Sequence, residues 1–178
     1  MKVYLVRHTS VVWDGNQICY GNTDVDVNPT FEEEAEPTKK MLSSLSFDAV
    51  FTSPLKRAVK LADYCGFAEA VRDDRLKEMN FGDWEGQTWA QIIPKGKSIN
   101  DFFDYFIEHQ IPNGESLQMQ QKRVVEFLEE KKRLGLKSIL IFCHGGVINC
   151  SRAYVGEMSL REAFEFLPPF ASVNSLEM

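Results

Sequence analysis

The chain has 178 residues, enough for one sizeable core, and its apolar, charged and aromatic fractions of 44%, 26% and 12% exclude a disordered or fibrous protein. A formal net charge of −6 argues against nucleic acid or an anionic membrane as partner, so any anion site has to be a local gathering of cations. No apolar run approaches the roughly 20 residues of a membrane span, and the N-terminus has too few apolar residues for a signal peptide, so a cytoplasmic location is expected.

Lys2-Val3-Tyr4-Leu5-Val6 reads as a buried strand that ends directly in Arg7-His8-Thr9. A long Gly-, Asn- and Asp-rich loop follows, from Arg7 to Pro29, and loops of that length are usually functional or disordered. Thr30 with Glu33 makes a capping box that opens a helix toward Leu45, which Pro37 should kink or restart. Asp48 to Thr52 is a second strand. Ser53 is the expected N-cap and Pro54 the first residue of a helix that runs to about Tyr64 and stops at Gly66.

A short strand near Ala70-Val71-Arg72 leads into a polar loop from Asp73 to Gly86. Helices are expected from Thr88 to Ile93, Ser98 to about Glu108, and Ser116 to about Leu134. Ile139-Leu140-Ile141-Phe142 is the strongest buried-strand signal in the chain. Gly145-Gly146 opens the next helix, Ser159 with Glu162 caps a short one, and Ala171 to Met178 is a last strand. Strands alternate with helices and there is no repeat or linker. The pattern predicts one domain over residues 1–178, a three-layer α/β/α fold with a largely parallel central sheet. Cys19, Cys65, Cys143 and Cys150 show no metal-ligand spacing and are read as buried or inert thiols.

Four chemical signals fall at strand ends or in the loops after them: Arg7-His8, Arg57, Glu78 and Cys143-His144-Gly145-Gly146. Parallel strands put their C-terminal ends on one edge, where these loops could converge. Two arginines and two histidines there would suit a dianion, with donor forks matched to phosphate oxygens and a helix N-terminus after His144. Guanidinium groups disfavour imidazolium, so a histidine in that field stays neutral and can attack phosphorus. Glu78 could protonate the leaving alkoxide and then activate water. Blander readings stand beside these. His8 could be a strand-end histidine bonded to backbone, Arg57 a solvated helix residue, and His144 a core histidine. Asp83 and Glu85 rival Glu78 but are read as surface or loop-bonding residues, and His109 is expected to be exposed and without a role. The aromatic group Phe102, Phe103, Tyr105 and Phe106 reads as core or lid packing before a ring-binding box, as do Trp84 and Trp89.

The segments VRHTS, TSPLKRAVKLA, LKEMNFGDWEG and CHGGVI resemble, in order and spacing, the histidine phosphatase (phosphoglycerate mutase-like) superfamily, over essentially the whole chain. The resemblance implies His8 as the phosphorylated nucleophile, Arg7, Arg57, His144 and Gly145 as phosphate-binding residues, and Glu78 as general acid and base. It implies a metal-independent phosphomonoesterase of small molecules, without cofactor. Thr9 replaces the commoner glycine, and Asp14 stands where many members carry an asparagine that contacts phosphate. That carboxylate would repel substrate unless it turns outward or Asn16 takes its place. Asn16, Tyr20 and Thr23 are candidates for the leaving-group pocket, Tyr20 alternatively packing under the loop.

The stretch Ile18 to Asp24 is most similar to the α-ribazole phosphatase branch, which acts on α-ribazole 5′-phosphate in cobalamin biosynthesis. Mutases of the superfamily carry inserted segments, whereas only about 35 residues lie between Glu78 and Gly114. Hydrolysis is therefore expected over phosphoglycerate mutase-type transfer. A non-catalytic phospho-ligand binding module is the alternative from another class, opposed by the presence of both His8 and Glu78. The oligomeric state is not legible.

Overall fold

The computed structural model describes residues 1–14, 17–94, 99–162 and 166–178, with residues 99–103 as backbone only. The strands are β1 (Lys2–Arg7), β2 (Ala49–Thr52), β3 (Val71–Arg72), β4 (Ser138–Cys143) and β5 (Val173–Glu177). They form one sheet in the order β3-β2-β4-β1-β5, parallel except for the antiparallel edge strand β5. The helices are α1 (Phe31–Leu42), α2 (Lys56–Tyr64), α3 (Trp89–Ile92), α4 (Ile99–Glu108), α5 (Leu117–Arg133) and α6 (Gly145–Tyr154).

The two-residue period of the strands divides the core into two layers. Val3, Leu5, Ile139, Ile141 and Cys143 face α5 and α6, whose Val124, Phe127, Leu128, Val147 and Ile148 are all buried there. Val6, Leu140 and Phe142 face the other way, onto Ala35 and Leu42 of α1 and Ala58, Leu61 and Ala62 of α2. The central strands are apolar on both faces because helices cover both. This is the expected α/β architecture with a mostly parallel sheet.

Three local expectations differ. The capping box of Thr30 and Glu33 does not form. Thr30 makes no side-chain cap bond, and its hydroxyl donates to Glu34, whose carboxylate also holds Ser10 through its N–H (2.7 Å) and hydroxyl (2.6 Å). Glu34 wins because it faces the first loop whereas Glu33 points to solvent. Pro37 lies inside α1 on its exposed side, and the helix runs on as one element. Ser53 is not the N-cap residue of α2; that position falls two residues later, on Leu55. Ser53 still belongs to the sheet, donating its N–H to Phe142 O (2.9 Å). The short helix after Ser159 falls partly on residues outside the described set, although Ser159 and Glu162 make the reciprocal bonds of a capping box.

The register delivers the site. Arg7 pairs with Cys143 and Thr52 with Phe142, so β1, β2 and β4 end level with one another. His8, Ser53 and His144 are each the first residue past a strand, on one edge of the sheet.

Candidate active site

His8 follows β1 and is held by its backbone, which donates to Cys143 O and accepts from Ala171 N–H (both 3.1 Å). Its ring Nδ1 lies 2.6 Å from Thr9 O. A carbonyl can only accept, so Nδ1 carries the hydrogen and Nε2 keeps its lone pair. The ring is buried, and burial first, then the Arg57 charge, holds His8 well below the ordinary histidine pKa. A neutral imidazole with a free Nε2 is a competent nucleophile.

His144 follows β4 and is the N-cap residue of α6, and its ring centroid is 5.2 Å from that of His8. It is fully buried, and burial first, then Arg57, lowers its pKa well below normal. Nε2 contacts Ser53 Oγ at 2.8 Å, while the buried Nδ1 has no partner in the protein.

Arg57 is 0% exposed. Its two terminal nitrogens donate to Gly21 O (2.6 Å) and Thr23 O (2.9 Å), and its Nε is buried without a protein partner. Arg7 donates to Pro168 O, stacks its guanidinium 3.9 Å over the Phe170 ring, and likewise leaves Nε unpaired. An arginine Nε–H buried with no acceptor is costly, and here two of them accompany His144 Nδ1. All three belong to side chains around His8.

Glu78 lies in the loop after β3, with Oε1 accepting from Met79 N–H (2.9 Å) and Gln120 Nε2 (2.8 Å) and Oε2 from Gly146 N–H (3.0 Å). Of the charges acting on Arg7 and Arg57, its carboxylate is the strongest. Gly146 is required by this approach: a Cβ there would collide with Glu78 Oε1 and lie 2.7 Å from Gln120 Nε2. Gly145 brings the N-terminus of α6 beside Arg7, its would-be Cβ 3.6 Å from Arg7 Nε.

The structure thus gathers Arg7, His8, Arg57, Glu78, His144 and Gly145. The loop residues fare differently. Asn16 lies outside the described residues. Thr23 is engaged within the protein: its N–H and hydroxyl go to Glu85, and its carbonyl accepts from Arg57. Tyr20 stands 5.4 Å over Arg57 and donates its hydroxyl to Asp14 (2.9 Å). Asp14 also accepts from Val11 N–H (2.5 Å), so its carboxylate is engaged in folding the loop. Glu85 bonds the loop as expected, accepting from Asn22, Thr23 and Phe81, while Asp83 is paired with Asn113 at an exposed position.

Three contributors are missing from the sequence reading. Ser53 reads locally as a helix cap. Gln120 is 0% exposed on α5. Its polar side chain on the stripe Leu117, Val124 and Leu128 is the available signal. Arg123 ties down the Glu78 loop, donating to Arg75 O, Lys77 O and Glu78 O while paired with Glu115. Among the aromatics, Phe102 and Phe103 have no described side chains. Phe106 packs edge-on to Trp84 in the core, and Tyr105 stacks on the exposed His109. Cys19, Cys143 and Cys150 are buried free thiols raised above normal pKa by burial, and Cys65 is pushed up to about 11. Among the described residues no cluster of His, Cys, Asp and Glu is spaced for a metal, and no helix is long and apolar enough to cross a membrane.

A family model for the histidine phosphatase superfamily (branch 1) matches residues 3–178. The chain is 30% identical to phosphoserine phosphatase 1 of Hydrogenobacter thermophilus over 153 residues, which cover 81% of this chain and 71% of that protein. It is 30% identical to the 2,3-bisphosphoglycerate-dependent phosphoglycerate mutase of Cytophaga hutchinsonii over 165 residues, 87% of this chain and 77% of that one. A crystal structure of phosphoglycerate mutase from Thermus thermophilus matches with a TM-score of 0.81 and 30% identity, covering 99% of this chain and 93% of the other.

Proposed function

The chain belongs to the histidine phosphatase superfamily (branch 1), and on that premise we propose that it hydrolyses small phosphomonoesters through a phosphohistidine at His8. The observation that carries this reading is the set of buried nitrogens without protein partners, Arg7 Nε, Arg57 Nε and His144 Nδ1, around a histidine whose Nε2 lone pair is free.

The ester phosphate is held by Arg7, Arg57, His144 and the N–H of Gly145 at the start of α6. His8 Nε2 attacks phosphorus and the P–O bond to the leaving group breaks. Glu78 supplies the proton that makes the leaving group an alcohol. The resulting carboxylate takes a proton from water, whose oxygen forms the new bond to phosphorus as the P–N bond breaks. His8 is restored, Glu78 is reprotonated and inorganic phosphate leaves. Positive charge comes from the two arginines, so the scheme needs neither metal nor cofactor.

Phosphatase and mutase-like chemistry both occur among the relatives, and the short span between Glu78 and Gly114 favours hydrolysis. For the substrate, the resemblance over Ile18 to Asp24 supports α-ribazole 5′-phosphate, and the phosphoserine phosphatase relative supports phosphoserine as a second reading. A turnover screen over a panel of phosphomonoesters including both, run on the wild type and His8→Ala, tests the proposal. Release of phosphate that falls by roughly a thousandfold or more in His8→Ala is the expected result, with an acid-labile, alkali-stable phosphoenzyme in the wild type alone. Unchanged turnover by His8→Ala overturns it.

A further inference from the structure

Ser53 is fully buried at the end of β2, and its Oγ has two neighbours. It accepts from Leu55 N–H at 3.3 Å, and it lies 2.8 Å from His144 Nε2. A serine hydroxyl has one hydrogen to give. Among the hydrogen bonds of the described residues, His144 Nε2 is the one group that can accept it.

Two arrangements are possible for the pair. If His144 carried its hydrogen on Nε2, the Ser53 hydroxyl hydrogen would be buried without an acceptor. The bare Nδ1 would also turn a lone pair, with no donor, toward an anion. If instead Ser53 donates to Nε2, both atoms of that contact are satisfied. The single group left over is then an Nδ1–H beside Arg7 and Arg57. The second arrangement strands fewer buried polar groups, each of which costs stability. It also turns a donor to the place where a dianion sits. Leu55 N–H already occupies one of the two acceptor lone pairs of Ser53 Oγ, whereas its one hydrogen has no acceptor other than the imidazole among the described residues.

We infer that Ser53 is a positioning residue that locks neutral His144 in the Nδ1–H tautomer, making it a hydrogen-bond donor to the phosphoryl group without being charged. The tautomer follows from contacts within the protein; only the identity of what Nδ1–H meets rests on the phosphomonoesterase reading. His8 is held in the same tautomer by a different device, the Thr9 carbonyl. The two imidazoles therefore turn opposite faces to the same site: His8 presents its bare Nε2 as nucleophile and His144 presents its N–H as donor.

The test uses the intact chain labelled with ¹⁵N-histidine. With three histidines in the sequence, two-bond ¹H–¹⁵N correlation spectra are simple, and His144→Asn assigns the signals. The expected wild-type result at neutral pH is a protonated-type Nδ1 and a bare-type Nε2 for His144. Ser53→Ala should convert this to a mixture of tautomers and lower kcat/KM on an aryl phosphate by roughly tenfold. In a His144→Asn background the same substitution should change kcat/KM less than about twofold, because its partner is gone. An Nε2–H tautomer in the wild type overturns the inference, as does a Ser53→Ala loss that is fully additive with His144→Asn. Absence of any phosphomonoester turnover with the Nδ1–H tautomer in place would instead defeat the enzymatic reading and leave the role of Ser53 standing.

Discussion

Mild acid should destabilise this fold well before its carboxylates titrate. His8 and His144 are buried and neutral, each held well below the ordinary histidine pKa by burial first and by Arg57 next. In the unfolded chain both titrate near about 6.5. Below that pH the unfolded state binds two protons that the native state refuses, so stability is complete above about pH 6.5 and declines as the pH falls. The limiting slope for two such groups is about 2.7 kcal/mol per pH unit, and between pH 7.5 and 5.0 the pair costs about 4 kcal/mol. Against a total of about 5–15 kcal/mol that is a large share, equivalent to a fall in Tm of about 8–16 °C for a chain of this size. Carboxylates lowered by their partners, such as Glu130 at about 2 between Arg75 and Lys131, give up their contribution only below about pH 4.5, outside this window.

Urea unfolding followed by tryptophan fluorescence at half-unit pH steps measures the slope directly, and it avoids the ionisation of the substrate that would complicate a rate profile. His8→Gln and His144→Gln should each reduce the slope to about 1.4 kcal/mol per pH unit, half the wild-type value. Wild-type stability that stays flat between pH 7.5 and 5.0 would refute the claim that the two imidazoles are buried neutral. A full slope that survives in both variants would assign the protons elsewhere.

Two further substitutions probe how the site is held. Gly146→Ala inserts a Cβ into Glu78 Oε1 and against Gln120 Nε2, displacing the acid from the helix terminus. Turnover of alkyl phosphates should fall by roughly a hundredfold, and turnover of an activated aryl phosphate, whose leaving group needs no proton, by much less; equal losses would separate Glu78 from proton transfer. Arg57→Lys keeps the charge but loses the fork that holds Gly21 O and Thr23 O. It should lower kcat/KM by roughly 10²-fold or more, with faster proteolysis of residues 17–24; wild-type kinetics would mean that charge alone suffices.

How far the sequence can be read depends on the range of the interactions concerned. The sheet is legible because apolar runs such as Ile139 to Phe142 must be covered on both faces, and strand ends follow from those runs. Arg7, His8 and His144 are legible because they sit immediately beyond such ends. Ser53 sits there too, but the dipeptide Ser53-Pro54 fits a helix start by local propensity. The register with Phe142 keeps the serine in the sheet and turns it to His144. The capping box at Thr30 fails for the same kind of reason: Glu34 is claimed by Ser10, 24 residues earlier in the chain. Gln120 meets Glu78 across 42 residues, and no local pattern names that partner.

The first loop shows why the remainder of the site could not be read from residue types. Asp14, Thr23 and Glu85 are polar residues whose types do not name their partners, and their side chains are engaged inside the protein. Glu85 fastens Asn22 and Thr23, Asp14 fastens Val11 and Tyr20, and the loop so shaped turns Gly21 O and Thr23 O onto Arg57. A fully buried guanidinium is tolerated only with such partners, together with the carboxylates of Glu78, Asp24 and Glu85 acting on it. Arg57 in turn is the leading charge that keeps both His8 and His144 neutral. On the proposed function one buried cation would do two things at once: its unpartnered Nε–H would meet an incoming dianion, and its charge would keep His8 neutral before that dianion arrives. The loop carbonyls stand one step behind the chemistry, and their disposition is a property of the folded loop rather than of any residue's identity.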